Sequence, residues 1–467
     1  MPISLLKHPL GKMPAHIFRA YDIRGVVDTD LTEAIVHDIG MALGSEAQDL
    51  GETSLIVGRD GRLSGPRLGA ALKEGILQSG CNVVDIGVVP TPLMYFATKT
   101  LGVKSGVMLT GSHNPSNYNG IKMVMQDVTF SEAQIQKLYQ RLEKGNVRQG
   151  KGTLREQPII QTYIDYIASS VHLPRKLKVV VDCGNGVPGA VMPKLCRALG
   201  CEVVELFCEV DGRFPNHHPD PTRPENLVDL VSSVKQHQAD IGLALDGDGD
   251  RLGVVSNTGN ILWADRQLML YAQSVLAKHP GAKVIYDVKC SKNVAAVVTA
   301  CGGEPIMTKT GHSFMKAKLR ETGAVLAGEL SGHIAFNDHW FGFDDGLYTG
   351  ARMLEILANQ PLDAETLFAG IPDSFTTPEF HVHIAEDKKF GYMKSLVSHA
   401  NFSDAHIIDI DGLRVEFKDA WGLVRASNTT PCLVCRFEAD NAAALKRVQT
   451  EFKVFMLQVD PTLKIPF

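Results

Sequence analysis

Three stretches of the chain repeat one order of apolar and polar positions. Each stretch begins with a β-branched run that ends in a polar turn, at residues 55–60, 179–184 and 284–289. Because both faces of such a run are apolar, the pattern predicts a buried strand. Apolar residues at three- to four-residue spacing follow each run and predict a helix.

A second and a third apolar run complete each copy. The second run starts 21 to 28 residues after the first, a separation typical of a helical crossover between parallel strands. The second runs lie at residues 83–86, 203–206 and 305–307, and the third runs at 107–109, 241–245 and 324–327. The repeat therefore predicts three related α/β domains with mixed, mostly parallel sheets.

Each third run leads into a polar loop that is rich in glycine. The three loops cover residues 110–115, 246–251 and 328–333, and their sequences are unlike one another. Because open α/β sheets bind ligands at the carboxyl ends of their strands, the loops predict one central cleft that the domains share.

Changes in composition predict four domains. Glycine and charged residues are frequent at 144–157, a polar turn occupies 256–260, and a proline-containing segment spans 371–378. The chain after these segments has a different pattern, in which two predicted strands flank a polar loop, and it predicts one smaller domain. The predicted domains span residues 1–155, 156–258, 259–371 and 372–467.

Three aspartates alternate with glycines in the second loop. Alternate side chains of an extended backbone face one way, so the carboxylates of Asp246, Asp248 and Asp250 should converge. Each like-charge pair about 4 Å apart costs on the order of 1–4 kcal/mol, which a divalent cation would remove. Oxygen ligands favour magnesium or calcium over zinc. An EF-hand is excluded, because Arg251 and Asn257 stand where it needs glycine and glutamate.

Ser112 offers a hydroxyl at the end of a predicted strand, in a turn of glycine, asparagine and proline. A serine in such a turn usually serves only the turn. Beside a metal site made of carboxylates, however, it is a candidate carrier of a phosphoryl group. A Ser-His-Asp hydrolase is disfavoured, because Ser112 does not lie in a G-x-S-x-G turn.

Two other loops carry groups that suit a phosphorylated sugar. Arg425 opens a loop whose guanidinium, hydroxyl and amide groups match a phosphate dianion; an ordinary polar hairpin is an equally good interpretation of this segment alone. Glu329 and Ser331 supply an acceptor and a donor for sugar hydroxyls. Lys122 and Arg251 would neutralise phosphate charge, although Lys122 also fits an ordinary solvated lysine.

Residues 184–189 match the pattern G-x-G-x-x-G after a predicted strand, and Glu205 follows at the spacing of a dinucleotide-binding fingerprint. An NAD-dependent oxidoreductase is therefore an alternative. The chain offers no separate group of residues for hydride transfer, and a tight strand-to-helix turn is the favoured interpretation. Cys432 and Cys435 form a C-x-x-C inside a strand pattern, which favours core cysteines over zinc ligands.

Charge and composition narrow the classes of protein. The net charge is −5, from 47 basic and 52 acidic residues, which excludes the broad basic surface of a general nucleic-acid binder. No run of 18 apolar residues predicts a membrane span, and the first residues lack the apolar core of a signal peptide. Nine scattered cysteines suit a reducing compartment. We therefore expect a cytoplasmic location, with no nucleic-acid or membrane partner.

Taken together, these motifs resemble the α-D-phosphohexomutase superfamily, and most closely its bacterial phosphomannomutase/phosphoglucomutase branch. The likeness covers nearly the whole chain, with the motifs in family order at residues 18–25, 110–115, 246–251, 328–333 and 425–431. It implies a smaller α+β fourth domain that rotates over the cleft. It also implies an isomerase that reversibly moves a phosphoryl group between positions 1 and 6 of mannose and glucose phosphates.

The resemblance assigns roles to individual residues. It implies a phosphorylated Ser112 and a Mg²⁺ ion held by a phosphoserine oxygen with Asp246, Asp248 and Asp250. The phosphoserine would form a 1,6-bisphosphosugar that turns around and returns its other phosphate. The substrate-binding residues that it implies are Tyr21, Arg251, Lys289, His312, Glu329, Ser331, Arg425, Ser427, Asn428 and Thr429. The group that accepts the hydroxyl proton stays open among Lys122, Arg24 and His333.

The substrate and the cofactors follow from the same resemblance. It implies hexose phosphates as substrates, glucose 1,6-bisphosphate as the priming activator and a monomeric enzyme. Phosphoglucosamine mutase, of the same superfamily, is the alternative. It is disfavoured because its members typically carry alanine and glutamine where this chain has Gly111 and Leu330. A non-catalytic magnesium-binding protein is an alternative from another class.

Overall fold

Four separate β-sheets organise the chain in a computed structural model that describes residues 13–427 and 430–467. Three of the sheets are mixed, with helical crossovers between parallel strands, and the fourth is antiparallel. The prediction of three related α/β domains and a smaller fourth domain around a cleft is confirmed. We call them domains I to IV in chain order.

Domain I is built on a seven-stranded mixed sheet. Its strands are β1 (Ile23–Val26), β2 (Ser54–Arg59), β3 (Asn82–Val88), β4 (Gly106–Leu109), β5 (Tyr118–Met125), β6 (Val128–Thr129) and β7 (Leu154–Glu156). Its helices are α1 (Glu33–Asp49), α2 (Gly65–Gln78), α3 (Thr91–Thr100) and α4 (Glu132–Glu143), after a 3₁₀ turn at Ala15–Ile17. The strand order is β1-β5-β4-β2-β3-β7, with β6 beside β5.

Both faces of this sheet are covered, because alternate residues of its inner strands point to opposite sides. Leu55 and Val57 of β2 join an apolar cluster with helices α1, α2 and α4. Ile56, between them, joins a second cluster that includes α3. This two-sided burial explains why β2 reads as a continuous apolar run.

Domain II repeats the arrangement on a five-stranded sheet ordered β12-β11-β10-β8-β9. Its strands are β8 (Lys178–Asp182), β9 (Glu202–Leu206), β10 (Ile241–Leu245), β11 (Leu252–Ser256) and β12 (Ile261–Leu262). Its helices are α5 (Ile160–Ser170), α6 (Met192–Ala198) and α7 (Val228–His237), with 3₁₀ turns at Val187–Ala190 and Pro224–Leu227.

Domain III has a four-stranded sheet ordered β14-β13-β15-β16. Its strands are β13 (Lys283–Asp287), β14 (Glu304–Thr308), β15 (Leu326–Gly328) and β16 (Ile334–Phe336). Its helices are α8 (Ala264–Leu276), α9 (Lys292–Ala300), α10 (His312–Thr322), α11 (Gly346–Ala358) and α12 (Ala364–Ala369). In all three sheets the first strand of the copy lies between the second and third strands and parallel to both.

Domain IV packs two helices on an antiparallel sheet ordered β17-β22-β21-β20-β19, with β18 also beside β22. The strands are β17 (Phe375–Thr376), β18 (Phe380–His383), β19 (His406–Ile408), β20 (Leu413–Glu416), β21 (Ala420–Ala426) and β22 (Cys432–Ala439). The helices are α13 (Lys389–Ser398) and α14 (Ala442–Val459). None of the helices in the described part of the chain is long and apolar enough to cross a membrane.

Two of the predicted domain boundaries fall inside hydrogen-bonded structure. The boundary at 155/156 lies within β7, which pairs with β3 and so extends the first sheet. The boundary at 258/259 lies in a hairpin, because β12 pairs with β11. Membership of the sheets would place these two boundaries a few residues later, and the four predicted ranges stay predictions.

The domains are joined by buried contacts of two kinds. The first three share one apolar cluster, in which the ring of Trp340 lies 5.9 Å from the rings of both Phe96 and Tyr163. Domain IV docks through Arg414, whose Nη1 donates to the backbone carbonyls of Val288 at 2.6 Å and Cys290 at 2.8 Å. These contacts hold the strand ends of all four domains against one another.

One interdomain contact predicts a pH-dependent stability. Tyr163 of domain II donates to both oxygens of Asp345 at 2.8 and 2.9 Å, and burial raises the pKa of Asp345 to about 7. A carboxyl whose pKa is higher in the folded than in the unfolded chain stabilises the fold while it is protonated. The free energy of unfolding should therefore fall by about 1–3 kcal/mol between pH 5 and pH 8.

Asp345→Asn should remove this dependence, because asparagine does not ionise. Its side-chain oxygen would still accept from the backbone N–H groups of Leu347 and Tyr348. Urea unfolding at each pH measures it. Asp363→Asn is the matched control: Asp363 caps α12 in the same manner, and a hydrogen bond from Thr366 lowers its pKa. An unchanged pH slope in Asp345→Asn would contradict the prediction.

Candidate functional site

Three loops from the repeated domains meet at one cleft. Each loop joins the third strand of its copy to an antiparallel partner, from β4 to β5, from β10 to β11 and from β15 to β16. Ser112 Oγ of the first loop donates to Asp246 Oδ2 of the second at 3.0 Å. Arg251 Nε of the second loop donates to His333 Nε2 of the third at 3.0 Å. The repeated topology thus brings the carboxyl ends of corresponding strands together.

The second loop holds three fully buried carboxylates. One oxygen from each of Asp246, Asp248 and Asp250 lies within 4.8 Å of the other two. Asp246 Oδ1 accepts from the backbone N–H groups of Gly249 at 3.0 Å and Arg251 at 3.2 Å. Asp248 Oδ1 and Asp250 Oδ1 are buried without a hydrogen-bond partner among the described residues. Because such oxygens are costly to bury, this all-oxygen set fits a hard divalent cation such as Mg²⁺.

Lys122 of β5 reaches the carboxylates from domain I. Its Nζ donates to Asp248 Oδ2 at 2.7 Å and Asp250 Oδ2 at 2.5 Å. Thr91, the first residue of α3, donates to the same oxygen of Asp248 at 2.5 Å. Although burial disfavours a charged ammonium, the two carboxylates raise the pKa of Lys122 well above its ordinary value. Burial and its neighbouring carboxylates likewise raise the pKa of Asp246.

A turn after β2 supports the loop that carries Ser112. Asp60 Oδ2 accepts from one side-chain donor and one backbone donor of this loop, at 2.8 and 3.1 Å. The guanidinium of Arg62 donates to three backbone carbonyls of the same loop and to that of Tyr118, the first residue of β5. Ser112 has a φ of 48°, in the left-handed region that non-glycine residues hold only when their surroundings require it.

Gly111 packs directly on Arg62. A Cβ at residue 111 would lie 2.4 Å from Arg62 Cζ, so glycine at this position follows from the packing of the loop. Leu330, the other residue used to separate sugar classes, is half-buried, and its backbone N–H donates to Asp287 Oδ1 at 3.3 Å.

Domain III lines the cleft with a carboxylate, a hydroxyl and two imidazoles. Glu329 Oε1 accepts from the backbone N–H of Gly311, and Ser331 Oγ donates to Glu329 Oε2 at 3.4 Å. The rings of His312 and His333 stack with their centroids 5.4 Å apart. The predicted sugar-binding residues therefore lie on one wall of the cleft.

Asp344 is a buried carboxylate behind the two imidazoles. Its Oδ2 lies 3.4 Å from His312 Nδ1 and 3.0 Å from His333 Nδ1, and its Oδ1 accepts from Lys316 at 2.7 Å. Because Nε2 of His333 accepts from Arg251, a ring proton of His333 lies on Nδ1, the nitrogen nearer Asp344. Burial lowers the pKa of His312 to about 4, so this imidazole is neutral at neutral pH.

Tyr21 and Arg24 lie on the domain I side of the cleft. The Tyr21 hydroxyl donates to the carbonyl of Thr310 in domain III at 2.9 Å. Arg24 Nη1 donates to Asn114 Oδ1 of the Ser112 loop at 2.7 Å, and Nη2 pairs with Asp22. Both residues therefore contact loops of the cleft.

Domain IV closes one side of the cleft through paired charges. Lys289 Nζ lies 3.0 Å from Glu379 Oε1, and Arg425 Nε donates to Asp411 Oδ2 at 3.0 Å. The same Asp411 oxygen accepts from the backbone N–H of Thr310 at 3.0 Å. Each of the two cations is thus held by a carboxylate of domain IV.

The loop after β21 is described only in part. Ser427 Oγ lies 2.8 Å from Thr430 Oγ1 and accepts from the Thr430 N–H at 3.1 Å. Asn428 and Thr429, which the sequence predicts to bind phosphate, lie outside the described residues.

The G-x-G-x-x-G segment is a close-packed turn. It leaves β8 and enters the 3₁₀ turn Val187–Ala190 before α6. Cβ atoms at Gly186 and Gly189 would lie 2.9 Å from Gly247 Cα and 2.0 Å from the Cys208 carbonyl oxygen. Close packing against Gly247 and Cys208 thus accounts for these two glycines, which favours the turn over a dinucleotide site.

Cys432 and Cys435 are buried on β22, and all nine cysteines carry free thiols. Neither residue belongs to a group of potential metal ligands in the described part of the chain. Their position fits core cysteines.

Several supporting residues were not singled out by the sequence patterns. Asp60, Asp182 and Asp287 each follow or end the first strand of a copy; Asp182 Oδ2 lies 3.0 Å from an imidazole nitrogen, and Asp287 Oδ2 accepts from a threonine hydroxyl at 3.1 Å. A search for polar residues at the ends of the first strands, as was done for the third strands, would have found these three aspartates. Arg62 and Asp344 gave no such signal, because the loop carbonyls that Arg62 binds lie 50 or more residues away and the Lys316 that Asp344 binds lies 28 residues away.

Comparisons with known proteins agree with this geometry. Family models of phosphoglucomutase/phosphomannomutase match at residues 15–149, 161–259 and 263–375 for alpha/beta/alpha domains I, II and III, and at 381–453 for the C-terminal domain. A phosphomannomutase/phosphoglucomutase of Pseudomonas aeruginosa is 51% identical over 455 residues, which cover 97% of this chain and 98% of that protein. A phosphoglucomutase of Neisseria gonorrhoeae is 50% identical over 461 residues, covering 98% and 100%.

A solved structure extends the likeness to three dimensions. The crystal structure of a phosphoglucomutase/phosphomannomutase family protein from Burkholderia thailandensis has a TM-score of 0.93 and 49% identity, covering 97% of this chain and 99% of that one.

The fold and the site define the chain as a phosphoryl-transfer enzyme. A buried serine lies beside clustered carboxylates, and cationic side chains line the cleft around them. The chain belongs to the phosphoglucomutase/phosphomannomutase family. It is a phosphohexomutase, an isomerase that moves a phosphoryl group between positions 1 and 6 of a hexose. Enzymes of this family are generally Mg²⁺-dependent, and hexose phosphates fit the family as substrates.

The carboxylate cluster predicts a magnesium-binding defect. Asp250→Asn should weaken Mg²⁺ binding by about 10- to 100-fold, because the amide removes a charge from the cluster. Titration calorimetry with Mg²⁺ measures the affinity. Asp229→Asn, which removes an exposed charge from the same domain, should leave it unchanged. Equal affinities for wild type and Asp250→Asn would exclude this loop as the site.

Proposed function

We propose that the enzyme carries the phosphoryl group on Ser112 and exchanges it with a hexose phosphate through a 1,6-bisphosphosugar. The observation that carries the proposal is the hydrogen bond of 3.0 Å from Ser112 Oγ to Asp246, in a loop where two further carboxylates each keep one unpartnered oxygen. A phosphoserine there would stand beside a cation site and inside the shared cleft.

Asp246, Asp248 and Asp250, with an oxygen of phosphoserine 112, would hold Mg²⁺. When bound, the ion withdraws negative charge from the phosphoryl group in transfer. Lys122, which lies against two of these carboxylates, would neutralise the remaining charge.

Each transfer of the phosphoryl group forms one oxygen–phosphorus bond and breaks another. The oxygen of a free sugar hydroxyl attacks the phosphorus of phosphoserine and gives its proton to an acceptor in the cleft. The bond from phosphorus to Ser112 Oγ breaks, and Oγ takes up a proton to become the serine hydroxyl. The bisphosphosugar then turns around and returns its other phosphoryl group to Ser112. Both ends of the sugar are alike as dianions, so one phosphate site in domain IV would serve both orientations.

Residues of all four domains would bind the substrate in this scheme. Glu329 and Ser331, which contact each other at 3.4 Å, would bind sugar hydroxyls. The phosphate that does not react would be held by Arg425, Ser427, Asn428 and Thr429. The cleft would also be lined by Tyr21, Arg251, Lys289 and His312.

Three residues remain candidates for the proton acceptor. Lys122 and Arg24 are cations that already hold carboxylates, which suits charge neutralisation better than proton acceptance. Nε2 of His333 already accepts from Arg251 at 3.0 Å. Arg251 would therefore have to move before His333 accepts a proton.

We further propose that glucose and mannose phosphates are both substrates and that glucose 1,6-bisphosphate primes Ser112. We also propose that the enzyme is a monomer and lies in the cytoplasm. Its nine free thiols support a reducing compartment.

Ser112→Ala should lower turnover by about 10³-fold or more, because the residue that receives the phosphoryl group is lost. A coupled assay of glucose 1-phosphate conversion measures turnover, and intact-mass spectrometry should detect one phosphoryl group in wild type and none in the variant. Ser116→Ala, at an exposed serine of the same loop, is the control. Full turnover in Ser112→Ala would exclude the phosphoserine route.

Substrate preference is a separate prediction. Purified enzyme primed with a trace of glucose 1,6-bisphosphate should convert glucose 1-phosphate and mannose 1-phosphate with kcat/KM values within about tenfold of each other, since one differing hydroxyl changes transition-state binding modestly unless a buried group pairs with it. Glucosamine 6-phosphate should react more slowly. Equal activity on the aminosugar would favour a phosphoglucosamine mutase.

A further inference from the structure

Arg62 makes the densest set of hydrogen bonds around the Ser112 loop. It follows β2 and is 1% exposed. Its Nε donates to Asp60 Oδ2 at 3.1 Å. The remaining four donor contacts go to the carbonyl oxygens of Ser112 at 2.8 Å, Asn114 at 2.6 Å, Pro115 at 2.6 Å and Tyr118 at 2.9 Å. All five N–H groups of the guanidinium are thus matched by an acceptor.

These bonds determine which way the peptide groups of the loop point. No cis peptide bond occurs in the described chain, and in a trans peptide the C=O and the following N–H point in opposite directions. The Ser112 carbonyl faces Arg62, so the N–H of His113 faces away from it. Ser112, whose carbonyl makes this bond, has a φ of 48°, in the left-handed region that residues with a Cβ adopt only when their surroundings require it.

Arg62 is enclosed from both sides by the domains that meet at the cleft. In domain I, a Cβ at Gly111 would lie 2.4 Å from Arg62 Cζ. In domain II, a Cβ at Gly212 would lie 2.7 Å from Arg62 Cα, and the Phe214 ring centroid lies 5.2 Å from Cζ. The Ser112 carbonyl that Arg62 binds also touches domain II, since a Cβ at Gly247 would lie 2.4 Å from it.

We propose that Arg62 is a positioning residue, which holds Ser112 Oγ in register with the carboxylate cluster and thereby governs the rate of phosphoryl transfer to and from Ser112. It rests on the proposed phosphoserine function and adds a residue that touches no substrate. A lysine cannot replace it, because a single ammonium cannot reach five acceptors in one plane.

The test compares Arg62→Lys and Arg62→Met with Arg141→Lys. Arg141 is a buried arginine of domain I that binds Glu46, Asp49 and the Asn146 carbonyl and lies outside the cleft. The measurements are kcat and KM for glucose 1-phosphate, the rate at which dephosphorylated enzyme takes up phosphate from glucose 1,6-bisphosphate by quenched intact mass, and the folded fraction by circular dichroism.

Arg62→Lys should lower kcat and the rate of phosphate uptake by the same factor, about 10- to 100-fold, since a displacement of about 1 Å costs up to about 10²-fold. KM should stay within about threefold, and Arg62→Met should be slower still. Arg141→Lys should lose stability while its folded fraction keeps kcat. If the Arg62 variants do not fold, Asp60→Asn, which removes the charge that Arg62 Nε pairs with, should give the same kcat-selective loss.

Two results would overturn the proposal. One is wild-type kcat and phosphate uptake in folded Arg62→Lys, or in Asp60→Asn where that variant replaces it. The other is a loss that only follows the folded fraction, as expected for Arg141→Lys. In both, wild type still acquires phosphate at Ser112, so the positioning role alone fails. If wild type acquires none, the phosphoserine function fails as well.

Discussion

The burial of three like charges in one loop is the constraint on which the cleft depends. Asp246, Asp248 and Asp250 have no solvent exposure, and a like-charge pair about 4 Å apart costs about 4 kcal/mol near a protein surface. Lys122 offsets this cost, but it belongs to domain I while the carboxylates belong to domain II. Separating the two domains would take Lys122 away from the carboxylates and leave their mutual repulsion uncompensated. The electrostatics of the loop therefore hold the domains together.

The same principle extends around the cleft, where cationic side chains are held by nearby carboxylates. These pairs are Arg24 with Asp22, Lys289 with Glu379, and Arg425 with Asp411. Each pair orients a cation, and the two arginines keep further donors, Arg24 Nε and Arg425 Nη2, that have no hydrogen-bond partner among the described residues. A phosphate dianion would therefore meet cations that are already positioned on several sides. This arrangement suits a substrate that presents each of its ends in turn.

Much of the fold could be predicted from local patterns. The apolar runs around Val57, Val181 and Ile285 repeat at similar spacings because each copy buries both faces of a central strand. The metal-binding character of the Asp246 loop could be predicted from the sequence, because three carboxylates that alternate with glycines have few purely structural roles. Domain boundaries were less predictable: the polar turn at 256–260 looks like a linker, yet it is a hairpin within the second sheet.

The amino-acid sequence alone determined the strands and the residue types at their ends, and therefore the functional groups that are available for chemistry. Hydrophobic periodicity and turn composition are properties of neighbouring residues, so they can be read without the structure. Which group meets which was decided by tertiary packing. Lys122 and Asp248 are 126 residues apart, Arg251 and His333 are 82 apart, and Arg62 and Ser112 are 50 apart. A buried charge or carbonyl takes the partner that the docking of domains brings within about 3 Å, and no local pattern encodes that distance.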